Sequence, residues 1–377
     1  MRPVVVLILH AQAPKSAGPL VRALADARHS LATRQRDAFL GAGADVAEIV
    51  AGPPDGLTFG ERLAAEMRAR SGGAGGALGA MVPGGLIVLG SGSIPLARAA
   101  DLRCFVEVAA GLGGHALANN RYSADVVAIS RTADLAELPL LPADNALPRW
   151  LEERAGVAVA DLRSRWRLGV DIDSPLDLLM MGIGGPLAGP AVTAPLIGER
   201  LAALSDVLTN RRAELLVAGR VSATTLRWLE SGVACRVRAL VEERGLRAAS
   251  QLAQSGATTG SRPPRSVLGE LLDRDGPESL ARTVARLADA AIIDTRVLLA
   301  HRHGAEESAA WPVAEDRFAS DLLLPATIAD PWLRALTESA IASDLPILLG
   351  GHTAVNGGLR LLAARARLAA RARAGKR

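Results

Sequence analysis

The sequence is poor in aromatic residues and in cysteine. The first scarcity limits which side chains can build a core, and the second excludes a class of protein. Aromatic side chains make up 3% of the 377 residues, so hydrophobic cores have to be built from Ala, Val, Leu and Ile. The two cysteines, Cys104 and Cys235, stand far apart and without the Cys-x-x-Cys spacing of a zinc or redox motif. This excludes a disulfide framework and favours a reducing, cytoplasmic location.

Long hydrophobic runs are missing as well. No stretch approaches the roughly 20 apolar residues that a membrane span requires. The apolar opening at residues 4–9 is too short for a secretory signal. We therefore expect a buried first strand there, and no membrane partner.

Lysine is nearly absent, and the net charge has a local origin. Lys15 and Lys376 are the two lysines among 43 basic residues, and the formal net charge is +4. Residues 359–377 contain seven basic residues and no acidic one, so the rest of the chain is slightly acidic. The tail has helical spacing with cations towards its C-terminal end, as a solvated last helix would. A nucleic-acid partner is therefore not expected.

The length and hydrophobic content favour two domains. Hydrophobic residues make up 49% of the chain and charged residues 22%, enough apolar side chains for cores that a chain of this length divides between domains. The stretch Met181-Gly-Ile-Gly-Gly-Pro-Leu-Ala-Gly-Pro marks a linker. We predict a first domain at 1–182, a Gly/Pro linker at 183–196 and a second domain at 197–377.

Strand and helix patterns alternate on both sides of this linker, which predicts α/β folds with sites at the carboxyl ends of their strands. Predicted strands cover residues 4–9, 45–50, 86–96, 123–129, 214–218, 235–242, 291–300 and 346–349. Predicted helices cover residues 20–40, 99–110, 143–154, 196–210, 224–231, 277–290 and 331–343, with another starting at 59. Glycine-, serine- and proline-rich stretches at 71–85 and 251–264 are typical of loops.

Two acidic residues close the first half. Asp171 and Asp173 lie two positions apart, so on an extended strand both carboxylates face the same way and could bind a divalent metal. Ser174, Pro175 and Asp177 follow with the pattern of a capped helix start. The simpler alternative is that one aspartate caps this helix while the other is solvated.

Four stretches together resemble one known family. Residues 3 to about 180 are similar to the GT-A-fold (nucleotide-diphospho-sugar transferase-like) proteins, among them molybdenum cofactor guanylyltransferase and phospholactate guanylyltransferase. The stretches are Leu7-Ile-Leu-His-Ala-Gln-Ala-Pro, Phe59-Gly-Glu-Arg-Leu, Leu89-Gly-Ser-Gly-Ser-Ile-Pro-Leu and Val170-Asp-Ile-Asp-Ser-Pro-Leu-Asp-Leu. The resemblance implies a GT-A-like nucleotide-binding domain, followed here by a doubly wound α/β domain that resembles no family we know.

The resemblance also implies roles for individual residues. Asp171 and Asp173 would hold Mg²⁺, and the nucleotide would be bound by Lys15 and Arg22, downstream of the first strand, and by Gly90, Ser91 and Ser93 of the stretch that begins at Leu89. Where such relatives carry an aspartate after the mid-domain strand, this chain has Gly92. Either Asp171 or Asp173 holds the metal without that partner, or Asp125 or Asp144 replaces the missing carboxylate, or the domain has kept the fold and its chemistry is lost or altered.

Asn120, Arg121 and Tyr122 form a polar run that includes the sole tyrosine, just ahead of a predicted strand. In the resembled family this region faces the acceptor, and arginine suits bidentate recognition of an anion. The alternative is an Asx-type turn that closes a loop.

The second domain offers two kinds of candidate. Arg220 and Ser222 follow a glycine turn that could bind an anion, although such turns are also ordinary strand–helix connections. His301, His303 and His352 could help to bind an anion or could form a zinc or manganese site, although His301 and His303 fit a polar loop equally well and His352 a helix start.

Three functions remain open at this stage. The first is transfer of a nucleotidyl or glycosyl group from a nucleotide or nucleotide-sugar to a small-molecule acceptor. The second is a catalytically silent GT-A-like domain used for binding or assembly. The third is a metal-dependent hydrolase centred on the second domain. A homo-oligomer is compatible with each.

Overall fold

A computed structural model describes residues 3–52, 56–71, 84–131, 135, 138, 141, 144–182, 195–243, 264–304 and 310–374. These residues form mixed α/β structure in two compact units. Unit 1 comprises Met1–Ser16 and Ala25–Asp171, and unit 2 comprises Ala17–Leu24 and Ile172–Arg377. Most of the predicted loops at 71–85 and 251–264, and most of the predicted linker, lie outside the described residues.

Unit 1 contains a six-stranded sheet in the order β2-β1-β3-β5-β4-β6. Its strands are β1 (Val4–Ala11), β2 (Val46–Gly52), β3 (Gly85–Gly90), β4 (His115–Ala118), β5 (Val126–Ile129) and β6 (Ala158–Asp161). β5 runs antiparallel to both its neighbours, β3 and β4, and the other pairs are parallel. Its helices are α2 (Phe59–Ser71), α3 (Ala99–Ala109) and α4 (Leu147–Glu153), and α1 (Pro19–Gly41) begins in unit 2 and continues into unit 1.

The first strand explains why this sheet is buried on both faces. Val4, Val6 and Ile8 pack into one apolar cluster, while Val5 and Leu7 pack into another on the opposite face. All five are buried, as the uninterrupted apolar run predicts for a strand covered on both sides.

Unit 2 contains a four-stranded parallel sheet in the order β10-β9-β7-β8. Its strands are β7 (Glu214–Gly219), β8 (Arg236–Val241), β9 (Ala290–Asp294) and β10 (Ile347–Gly350). Its helices are α5 (Pro175–Met181), α6 (Pro195–Thr209), α7 (Ala223–Gly232), α8 (Val267–Asp275), α9 (Leu280–Ala285), α10 (Thr295–His303), α11 (Ala314–Asp321), α12 (Pro331–Ala342) and α13 (Leu359–Ala374).

The capped start of α5 is confirmed. Ser174 has extended backbone, Pro175 occupies the first helical position, and Asp177 completes the capping box by accepting the Ser174 backbone N–H at 2.7 Å. These reciprocal bonds satisfy donors that the first turn of a helix otherwise leaves unpaired. The expectation that Asp171 or Asp173 caps this helix is wrong, because Ser174 occupies the N-cap position and Asp177 completes the capping box.

The predicted strand at 291–300 is wrong in its second half. β9 ends at Asp294, whose carboxylate accepts the Arg296 backbone N–H at 3.2 Å and so starts α10. Every residue from 295 to 301 is buried, so this helix lacks the polar face that gives a surface helix its 3.6-residue period. Its apolar sequence therefore looks like a continuation of the strand.

Four short elements have no counterpart in the predictions: β4, β6, α8 and α11.

None of the described helices is both long enough and apolar enough to cross a lipid bilayer.

Candidate functional site

The first candidate region lies where β1 and β3 end side by side in unit 1. His10 is 7% exposed and its Nδ1 lies 3.0 Å from the Ser91 hydroxyl, which is 5% exposed. Burial, together with the positive charges of His29 and Arg28, lowers the pKa of His10. His10 is therefore neutral at pH 7 and can accept a proton or a hydrogen bond.

The loop after β3 carries backbone strain. Ile94 is 1% exposed and has φ +43°, a conformation that β-branched residues avoid. Ser93 forms an isolated antiparallel bridge with Asp171, and its carbonyl accepts a hydrogen bond from Gln35. Strain of this kind persists only where the surroundings impose it, and it concentrates at functional sites. Two of the four resembling stretches, the β3 loop and the closing acidic stretch, thus meet in unit 1.

The carboxylates of unit 1 are less concentrated than a metal site requires. Gly92 provides none, while Asp125 and Asp144 line a common narrow cleft with Phe59 and Leu89. The Asp125 carboxylate accepts a hydrogen bond from Asn119 at 2.7 Å. Within the described residues no three His, Cys, Asp or Glu side chains group in a way that could hold a metal ion. Asp171 belongs to unit 1 and Asp173 to unit 2.

The start of α1 is already bound to a carboxylate. Within unit 2, Glu315 accepts the backbone N–H of Leu20 at 2.9 Å and of Val21 at 3.1 Å. A carboxylate in this position takes the place that a phosphate would occupy at a helix N-terminus. Arg22 donates to the Ala17 carbonyl, and Lys15 is an exposed turn residue.

The polar run at 120–122 adopts the turn that was the alternative to a ligand role. The Asn120 side chain accepts the Tyr122 backbone N–H at 3.0 Å, which closes an Asx-type turn. Arg121 pairs with Glu152. The Tyr122 ring remains 54% exposed, with the guanidinium groups of Arg121 and Arg163 at 5.9 and 5.2 Å from its centroid.

A second candidate region lies at the carboxyl ends of β7, β9 and β10 in unit 2. The fully buried Asp294 carboxylate accepts hydrogen bonds from Nε and Nη2 of Arg220 at 2.6 and 3.1 Å. Although burial opposes its ionisation, the Arg220 guanidinium holds the pKa of Asp294 below its usual value. Ser222 caps α7 by accepting the Thr225 backbone N–H. Arg220 and Ser222 are therefore both engaged within the protein, which weakens their interpretation as an anion site.

Further acidic groups surround this pair. Asp321 forms a buried, bidentate ion pair with Arg296. Asp177 is 1% exposed, and burial, reinforced by the negative charge of Asp173, raises its pKa to about 7. His352, at the end of β10, has its Nδ1 3.4 Å from an Asp173 carboxylate oxygen.

The three histidines of unit 2 are not arranged as a metal centre. His301 and His303 lie on α10 and not on a strand, and residues two apart on a helix face different directions. His301 accepts the Ser266 backbone N–H at 3.0 Å and its other nitrogen lies 3.1 Å from Asp273. Burial lowers the pKa of His303. The expected His-x-His ligand pair was derived from the wrong secondary structure.

Three members of the unit 2 cluster were not identified from the sequence as site residues. Asp294 and Arg296 lie at the end of β9 and the start of α10, whereas Asp321 lies at the end of α11, 25 residues after Arg296, so the pairing of Arg296 with Asp321 depends on the fold. The one local signal was Asp294-Thr295, an acidic residue that interrupts an apolar run.

Comparisons with family models, with curated proteins and with solved structures give no match to this chain.

Proposed function

We propose that unit 1 binds a nucleotide or nucleotide-sugar at the carboxyl ends of β1 and β3 and transfers its nucleotidyl or glycosyl group to a small-molecule acceptor, in the manner of a GT-A-like domain. The observation that carries this proposal is the bridge between Ser93 and Asp171. It joins the mid-domain stretch and the closing stretch, which in the resembled family provide the metal-binding residues. The mixed α/β sheet of unit 1 is compatible with such a fold.

The proposed roles follow from position. Gly90, Ser91 and Ser93 provide the donor-binding loop, and the surrounding structure imposes the strained backbone conformation of Ile94 within it. Neutral His10, hydrogen-bonded to Ser91, can accept the proton that an acceptor hydroxyl loses as its oxygen bonds to the transferred group and the bond to the leaving pyrophosphate or nucleotide breaks. Tyr122, exposed between two guanidinium groups, offers a stacking surface for a base or sugar.

Mg²⁺ is the cofactor that the resemblance implies, and it would neutralise phosphate charge. The described residues do not supply the group of acidic side chains that such a site requires, so no step is derived through the metal. The same shortage, with Gly92 at the mid-domain position, favours a second candidate: a unit 1 that binds the nucleotide without catalysing transfer.

A thermal-shift screen of nucleoside triphosphates and nucleotide-sugars, with and without Mg²⁺, tests binding. We expect at least one nucleotide to raise the melting temperature, because a ligand that binds only the folded state stabilises it. Ser91→Ala should reduce this shift, while Ser30→Ala, at an exposed position of α1, should leave it unchanged. No shift with any nucleotide would refute both candidates.

The two candidates separate by product formation. Incubation of a nucleotide that binds with a mixture of small hydroxylated acceptors, followed by mass spectrometry, should reveal a transferred group. His10→Gln should then abolish transfer while nucleotide binding persists. Binding without any product would instead support the silent domain.

A further inference from the structure

The sheet of unit 2 contains a topological switch point. From β7 the chain moves to β8 on one side and then to β9 on the other side of β7. In open parallel α/β sheets, ligands bind outside the carboxyl ends of the strands where the order reverses. Here those ends are Gly219-Arg220 and Asp294, the residues joined by the buried ion pair.

The strand ends in this region have two unusual backbone features. Gly219 has φ +127°, and a Cβ there would lie 2.3 Å from Cβ of Asp294, so only glycine allows the two strand ends to approach. A π-helical turn, Ala354–Gly358, follows β10. Such turns are rare in proteins overall, but those that occur are often found at functional sites.

Asn356, within the π-helical turn, ties the strand-end loops together. Its side-chain amide donates to the carbonyls of Arg220 at 2.8 Å and His352 at 2.7 Å, and its oxygen accepts the Ser222 backbone N–H at 2.8 Å. One side chain, that of Asn356, thus fixes the backbone of both strand-end loops. Preorganisation of this kind reduces the ordering cost of binding a ligand.

The charged side chains in this region are paired with one another, and this pairing indicates which net charge a ligand at this site would carry. Arg220 lies against Asp294, Arg296 against Asp321, and His352 near Asp173. An anionic ligand would approach several carboxylates, and a cationic ligand would approach guanidinium groups. Each of the two guanidinium groups already has a carboxylate partner, and burial raises the pKa of the Asp177 carboxyl to about 7, which reduces its charge at neutral pH. The site therefore suits an uncharged ligand.

The partly exposed side chains of this region indicate how polar the ligand would be. Arg220, His352 and Asp173 retain 26%, 32% and 46% of their side-chain exposure. Together they offer donors and acceptors next to one another. In addition, the Oδ1 of the 1%-exposed Asp177 has no hydrogen-bond partner among the described residues. A hydroxyl group both donates and accepts, so several hydroxyls on one small molecule match this arrangement better than an amine or a phosphate does.

We propose that the switch point of unit 2 is a binding site for an uncharged, polyhydroxylated small molecule, such as a sugar or polyol. The side chains of Arg220, His352 and Asp173 bind this molecule. The site is independent of the nucleotide site proposed for unit 1.

Ligand-observed NMR with four probes tests this site: D-ribose, myo-inositol, inorganic phosphate and ethylammonium. We expect ribose or inositol to bind at millimolar concentration, in the range of weak small-molecule affinity. Asp173→Asn and His352→Gln should each weaken binding about tenfold, as the loss of a hydrogen bond to a charged group does. Both residues are partly exposed, so both variants are expected to fold. Asp37→Asn, at an exposed position in unit 1, is the matched control.

Three outcomes would overturn the proposal. The first is the absence of binding by both polyhydroxylated probes. The second is binding that Asp173→Asn and His352→Gln leave unchanged although circular dichroism shows both folded. The third is binding of phosphate or ethylammonium alone. Because Ser91→Ala alters only unit 1, unchanged polyol binding by that variant would keep this result separate from the nucleotide test.

Discussion

Asp294 and Arg220 form a buried pair in which both carboxylate oxygens accept hydrogen bonds from one guanidinium group, at 2.6 and 3.1 Å, while the Asp294 side chain has no exposed surface. Removing one partner leaves the other buried and uncompensated. We therefore expect Arg220→Gln to lower the free energy of unfolding of unit 2 by about 3–5 kcal/mol.

Urea unfolding measures this effect, with Arg238→Gln as the control. Arg238 also pairs with a carboxylate, Glu214 at 3.0 Å, but its side chain is 47% exposed. Such pairs contribute about 0–1 kcal/mol. If both variants lost equal stability, the burial of Asp294 would not carry the energetic consequence argued here.

Asp177 predicts a pH dependence of stability. Its pKa rises from 3.8 to about 7 in the folded protein, mainly because burial penalises the charged form and Asp173 adds repulsion. Between these values the folded state binds a proton that the unfolded state has released. The free energy of unfolding therefore falls as pH rises through this window and levels off above about pH 7, by at most about 4 kcal/mol in total.

Asp177→Asn isolates this contribution, because asparagine does not titrate. Urea midpoints measured from about pH 5 to about pH 8 should fall less steeply for the variant than for the wild-type protein. Asp37→Asn should follow the wild-type curve. Parallel curves for wild type and Asp177→Asn would show that Asp177 is not protonated in the fold.

Local signals in the sequence were enough for part of this fold. The run of apolar residues at β1 predicted a strand buried on both faces, and Ser174-Pro175 with Asp177 predicted the start of α5, because these patterns depend on neighbours in the chain. The start of α10 was missed since burial on all sides removes helical periodicity from Thr295 to His301. The four-residue strands β4 and β6 are too short to show alternation.

The candidate sites were less accessible to prediction for a related reason. The ion pair of Arg220 and Asp294 joins residues 74 positions apart, and Ser93 meets Asp171 across a similar distance. Nothing in the local sequence specifies such partners. The same limit applies to the glycine turns: the pattern suggested free backbone donors, whereas Ser222 and Glu315 already satisfy the donors at two of the helix starts.

Glu315 is expected to stabilise the start of α1. Its carboxylate accepts two backbone N–H groups, from Leu20 and Val21, near the positive end of the helix dipole. Glu315→Ala should cost about 1–2 kcal/mol, as the loss of a helix cap with its charge does. Glu338→Ala, at an exposed position of α12, should cost less than about 0.5 kcal/mol. Equal thermal midpoints for the two variants would contradict this role.

Two glycines of unit 2 are expected to respond oppositely to the same substitution. At Gly219, φ is +127° and an added Cβ would overlap Asp294, so Gly219→Ala should destabilise the protein by at least about 2 kcal/mol. Gly198 lies inside α6 and an added Cβ there meets no atom within 4 Å. Gly198→Ala should therefore stabilise the protein by about 0.5–1 kcal/mol, because alanine loses less conformational entropy in a helix.

Urea unfolding of both alanine variants beside the wild type distinguishes backbone constraint from general intolerance of alanine. Gly219→Ala should also reduce ribose or inositol binding, since it separates the strand ends that carry Arg220 and Asp294, whereas Gly198→Ala should bind these probes as the wild type does. If Gly219→Ala unfolded at the wild-type midpoint, the close approach of the two strand ends would be absent in solution. The site at the switch point would then lose its structural basis, because its geometry depends on that approach.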